Sequence, residues 1–182
     1  MDKPWFGRMF DRMKNQELES AQAKAEDGDA EAQFGLGLRF ANCESLDYPQ
    51  AAHWYLRAAD QNHALAQFNL GIMFARGQGV DRDEAKAAMW IQRAARQGDA
   101  GAQHNLGLRH RRASFEGLPE DASEAKLESF KWFRLAAAQG YMGSNDASEC
   151  VALGMTNEEL IEGNNRAAAF VASGTIPIGN CQ

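Results

Sequence analysis

The sequence predicts an all-α fold, an α/α superhelix (solenoid) of about three helix-pair repeats closed by helical caps. Three observations predict it. An A-x-A-Q-x-x-L-G core occurs at Ala30–Gly37, Ala64–Gly71 and Ala100–Gly107. A small-x-x-W element follows each copy, with Trp54, Trp90 and Trp132 as its landmarks. Both elements step by three and four residues, as Ala66, Leu70 and Phe74 do, and so carry helical rather than strand periodicity.

Residues 1–24 form the first region. Trp5, Phe6, Met9, Phe10 and Met13 share one helical stripe, flanked by Lys3, Arg8, Arg12 and Lys14. An N-terminal cap packing on the first repeat is the expectation, because Asp2 and Asp11 dilute the basic face; a membrane-surface helix is the alternative. Repeat 1 spans 25–60, repeat 2 spans 61–96 and repeat 3 spans 97–138. The glutamines Gln33, Gln67 and Gln103 are 34 and then 36 residues apart, within the period range of helix-pair solenoids.

In each repeat the second helix brings a tryptophan and its neighbour, Tyr55, Ile91 or Phe133, onto the alanines and glycine of the first. Glycine inside a helix costs about 1 kcal/mol relative to alanine, so its return at Gly37, Gly71 and Gly107 points to close helix approach. Copy two turns through Gly77, Gly79 and Val80. Copy one lacks that turn, so its connector from Cys43 to Pro49 turns differently. Copy three reaches Trp132 only 22 residues after His110, and an inserted loop is expected from Arg111 to about Pro119. Residues 139–173 read as a degenerate repeat and a capping helix. Thr156 and Glu159 make a capping box, Met155 can staple to Leu160, and a helix is predicted from Asn157 to about Ala172. Residues 174–182, without periodicity, read as a tail.

Composition narrows the function. A net charge of −6 repels a nucleic-acid backbone, so nucleic acid is not expected as a partner. Cys43, Cys150 and Cys181 form no C-x-x-C pair, and they read as free thiols in the cytoplasm. No signal-peptide pattern or membrane-length apolar run is present. Gly71 and Gly77 have the outer spacing of a phosphate-binding loop, but Gln78 stands where lysine is needed. His53, His63, His104 and His110 never fall in an H-E-x-x-H pattern, and nothing pairs a cysteine with a histidine as a nucleophile would require. No catalytic residue, cofactor or metal is expected, and the chain is not read as an enzyme.

The repeats resemble the Sel-one-like repeat (SLR) family, relatives of the tetratricopeptide repeats. Copy two carries the resemblance best, where Ala66, Gln67, Asn69, Leu70, Gly71, Met73 and Phe74 lead into Gly77, Gly79, Val80 and Asp81, then Trp90. The stretch from Met155 to Phe170 is similar to the closing helix of bacterial members. A cysteine-rich branch of the family, described as acting on β-lactams, carries cysteine pairs that this chain lacks.

The resemblance implies a right-handed superhelix that binds other proteins as an adaptor or scaffold. It also implies that the first helix of each repeat lines a concave groove. The corresponding positions are Phe34, Leu38, Phe68, Ile72, His104 and Leu108, with Ala75, Arg76, Arg111 and Arg112 towards the helix ends. Phe68 and Ile72 equally suit the interior of the repeat. Such a groove suits a peptide or protein segment with a few apolar anchors and an acidic flank, which the cluster from Arg109 to Arg112 would clamp. The rivals are a membrane-surface protein and a hydrolase built on the groove, whose sign would be a close acid–base pair in a deep pocket.

Overall fold

The computed structural model describes residues 19–42, 46–116 and 119–174. The readings on the Trp5 to Met13 stripe, on Cys43 and Cys181, and on the tail beyond Gly174 lie outside those residues. Among the described residues the regular elements are all helices: α1 (19–26), α2 (Ala30–Asn42), α3 (Tyr48–Asp60), α4 (Ala64–Arg76), α5 (Glu84–Arg96), α6 (Ala100–Glu116), α7 (Pro119–Ala138), α8 (Ser144–Ala152) and α9 (Asn157–Ala172). Two compact units divide between Glu84 and Ala85.

In the first unit, local chemistry sets the helix ends. Asp29 Oδ1 accepts from the Ala32 amide (2.7 Å), Asp47 Oδ1 from Gln50 (3.0 Å) and His63 Nδ1 from Ala66 (3.2 Å), so α2, α3 and α4 each start on an N-cap. The two connectors of unequal length converge on one bond. The Asp47 amide donates to the Phe40 carbonyl (3.1 Å), and Asp83 donates to Phe74 in the same way (3.0 Å). Gly79, in the left-handed region at φ 70°, backs directly onto the Tyr48–Pro49 backbone, where a side chain has no room.

The glycine of α2 receives Tyr55, not the tryptophan. A β-carbon at Gly37 would stand 2.5 Å from Tyr55 Cδ1, whereas Trp54 turns the other way and packs with Ala25 and Leu36. The expected pair thus divides its contacts, the neighbour taking the glycine and the indole taking Ala25 and Leu36. Successive side chains on a helix point about 100° apart, so neighbours in sequence serve different partners. Trp54 is buried all the same, and the Arg57 guanidinium covers its ring at 5.1 Å.

In the second unit the same contact recurs at Gly107, 2.6 Å from Phe133 Cδ1 on the same construction, and Ser129 Oγ donates to the Gly107 carbonyl (2.9 Å). Phe130, Phe133 and Val151 form a core on which Met155 and Leu160 both pack. Helix α9 begins with the expected capping box: Glu159 N donates to Thr156 Oγ1 (3.2 Å), and Thr156 N donates to Glu159 Oε2 (2.8 Å). It then lies on α7, where Gly163 meets Phe130 and Phe170 meets the Trp132 ring edge-on at 5.2 Å.

Arg111 to Glu116, the start of the expected loop, is instead helix, and α7 starts at Pro119; residues 117–118 of the expected loop lie outside the described residues. The extra residues lengthen α6 to 17 residues and α7 to 20, against 13 each for α2 to α5. The segment from Arg111 to Glu116 holds good helix formers and no glycine or proline, so α6 runs on until residue 116.

Candidate partner-binding site

Repeated buried glutamines hold the helix pairs in register and so position the site. Gln33 Nε2 donates to the Ala25 carbonyl (2.9 Å), Gln67 Nε2 to Ala59 (3.1 Å) and Gln103 Nε2 to Ala95 (3.2 Å). Each closes the open end of the preceding helix. Gln61 donates to the Gln33 side-chain oxygen (2.8 Å), and Gln139 to that of Gln103 (2.9 Å). The structural duty of the A-x-A-Q glutamine escapes a pattern reading, although a buried-looking amide at a fixed register is the signal that could have found it.

On this frame the first unit has a cavity of about 370 Å³, lined by Leu38, Ala41 and Asn42 of α2, Tyr48 and Tyr55 of α3, Asn69, Ile72, Met73 and Arg76 of α4, and Gln78 of the following turn. Its size lies at the small end of ligand pockets, roughly 300–1,000 Å³. The wall is part apolar, part amide. A side-chain hydrogen bond joins Asn69 to the Tyr55 hydroxyl. Burial pushes that hydroxyl up to about 12, against the opposing effect of the Asn69 bond, so it stays neutral at ordinary pH.

Leu38, Ile72 and Arg76 are the expected groove positions that this cavity brings together. Phe34 is not among them. It is 8% exposed, tilted on Tyr55 and stacked on the His63 ring at 4.6 Å, so it belongs to the interior of the repeat. Phe68 is half-buried and outside the lining. Asn42, Tyr48, Tyr55, Asn69 and Gln78 are lining residues that the sequence reading missed. Repeat register could have found Asn42, since it stands nine residues after Gln33, as Arg76 does after Gln67.

In the second unit, Leu108 is exposed, Arg111 half-buried and Arg112 exposed and paired with Glu116 (2.8 Å). His110 is half-buried among Glu128, Lys131, Arg109 and Glu124, and burial holds it below its ordinary 6.5. The four consecutive basic positions are therefore spread around α6 rather than gathered on one face. His104 Nδ1 lies 2.8 Å from Ser144 Oγ, and its ring meets Phe133 and Tyr141. Ser144 is fully buried, so the pair ties α6 to α8 and does not present a nucleophile to a substrate. Glu124, Glu128 and Glu162 surround Arg166, at 2.5, 3.4 and 2.8 Å, and this network holds α9.

Among the described residues no His, Cys, Asp or Glu group is placed to hold a metal ion, and no helix is long and apolar enough to cross a membrane. Paired helices, register-setting glutamines and a side-chain-lined cavity define a helix-pair repeat protein.

More particularly, the chain belongs to the Sel1 repeat family, whose model matches residues 30–63, 64–99 and 100–141. Proteins of this family are generally protein–protein interaction modules. The chain is similar to a protective antigen present in uropathogenic Escherichia coli strains, whose crystal structure displays an SLR fold. The two share 27% identity with a TM-score of 0.71, over 87% of this chain and 33% of that one. It is also similar to a Sel1 repeat protein from Oxalobacter formigenes, with 32% identity and a TM-score of 0.61, over 74% of this chain and 98% of that one. None of the curated proteins matches the chain.

Proposed function

We propose that this chain is a non-catalytic cytoplasmic adaptor or scaffold whose first unit holds a segment of a partner protein in the cavity between α2 and α4. The composition of the cavity lining carries the reading. Leu38, Ile72 and Met73 offer an apolar seat, and Asn42, Asn69 and Gln78 both donate and accept hydrogen bonds. A carboxamide of that kind can satisfy the backbone of an extended segment while the apolar wall takes a side chain. In the second unit, Leu108, Arg111 and Arg112 along α6 suit a partner with acidic residues beside an apolar one, in keeping with the expected acidic flank. The exposed thiol of Cys150 fits a reducing compartment.

Affinity capture tests the reading. Wild type and an Ile72→Asp variant, matched in circular dichroism and melting temperature, are used as baits under identical conditions, and the captured proteins are quantified. A defined set of partners is expected to drop at least tenfold on the variant. Equal recovery of every partner by both baits removes the cavity as the binding surface.

A further inference from the structure

We propose that the cavity selects a carboxylate: the partner segment places an Asp or Glu side chain on Arg76, one or two residues from the apolar side chain that enters the cavity. This inference rests on the reading of the cavity as a protein-segment site and adds the chemistry that would choose the segment.

Two observations carry it. First, the ten lining residues include a guanidinium, three carboxamides and two phenols but no Asp or Glu, in a chain with 25 acidic and 19 basic residues. The lining is rich in donors and holds no anion of its own. Second, Arg76 is exposed in the last turn of α4 and has no hydrogen-bond or ion-pair partner among the described residues. Of the other described arginines of the first unit, Arg57 donates to the Glu26 carbonyl and lies over Trp54, Arg82 pairs with Glu84 at 2.7 Å, and Arg39, exposed like Arg76, lies outside the cavity lining.

A cation in a last turn complements the helix dipole, which needs only its charge. The five N–H donors of the guanidinium stay available for a planar acceptor. A carboxylate matches that fork in a bidentate geometry, whereas a neutral amide does not. Asn42 and Gln78, lining the same cavity, add further N–H donors. Since Arg76 stands in solvent, the pair would contribute register and selectivity more than raw affinity.

The test pans a random peptide library, displayed internally on phage, against the full chain and against Arg76→Gln. Sequences enriched on the wild type are expected to carry Asp or Glu one or two positions from an apolar residue, and those enriched on Arg76→Gln to keep the apolar residue and lose the acid. A synthetic copy of the leading sequence should bind the wild type about two- to fivefold more weakly when its acid is changed to the amide. The same change should leave binding to Arg76→Gln unaltered, and amidating the peptide C-terminus should change neither.

Apolar enrichment without an acid on the wild type sinks the carboxylate proposal and leaves the cavity reading standing. So does an acid preference that survives in Arg76→Gln, or binding lost on C-terminal amidation. No enrichment on either bait removes both.

Discussion

Buried amides and missing side chains set the register of this protein. A glutamine inside a helix pair is costly unless its amide is satisfied, and Gln103 is satisfied by donating to Ala95 and accepting from Gln139. Gln103→Leu is therefore expected to cost about 1–3 kcal/mol in urea unfolding, because it strands the buried Ala95 carbonyl, whereas the exposed Gln139 keeps its bond to Gly98. Glycines separate by environment. Gly37→Ala drives a methyl group against the buried Tyr55 ring and is expected to destabilise by roughly 1–3 kcal/mol, despite the better helix propensity of alanine. Gly35→Ala, two positions away with nothing within 4 Å, is expected to stabilise by up to about 1 kcal/mol. The two variants measured side by side check the packing, since equal effects would place Tyr55 elsewhere.

At the scale of the element, boundaries come from caps and lengths from uninterrupted helix formers. Thr156→Ala removes one half of the capping box of α9 and is expected to cost about 1 kcal/mol, read as a lower melting temperature with faster hydrogen exchange confined to α9. The extension of α6 has its own test. Ala113 is exposed and helical, so Ala113→Pro is expected to cost roughly 3 kcal/mol by removing a backbone bond and clashing one turn back. A segment that were loop would accept that proline almost without effect.

Titrating groups act on the whole molecule through the second unit. Burial lowers His104 and His110 below the ordinary 6.5, so as the pH falls below 6.5 the unfolded chain takes up protons that the folded chain refuses, and stability declines. Glu124, held down by Arg166, and Glu159, held down by Ser123 and the Thr156 amide, contribute stability that is present above the ordinary 4.5 and lost as the pH falls through their lower folded values. Both carboxylates have exposed or partly exposed surroundings, so their share is small. Asp99, raised by burial, opposes the loss in the acid range. Unfolding by urea at constant ionic strength, followed by hydrogen exchange in α6 to α9, should show declining stability between about pH 6.5 and 5 and a further decline below 4.5. A profile flat from pH 7 to 4 would contradict these assignments. Repeat proteins distribute stability over neighbouring units, which makes such a local loss visible.

Much of this architecture was legible in the residues alone: three copies of a helix pair, the burial of Trp54, Trp90 and Trp132, the capping box at Thr156 and the bounds of α9. Periodicity and capping chemistry are local, so a single chain displays them. Tertiary structure decided the rest. It set Tyr55 rather than Trp54 against Gly37, took Phe34 into the interior under His63, carried α6 as helix through Arg111 to Glu116, and joined Leu38, Ile72 and Arg76 with Asn42, Asn69 and Gln78 around one cavity. Those outcomes depend on where a side chain from a distant helix arrives, and spacing along one chain does not carry that direction.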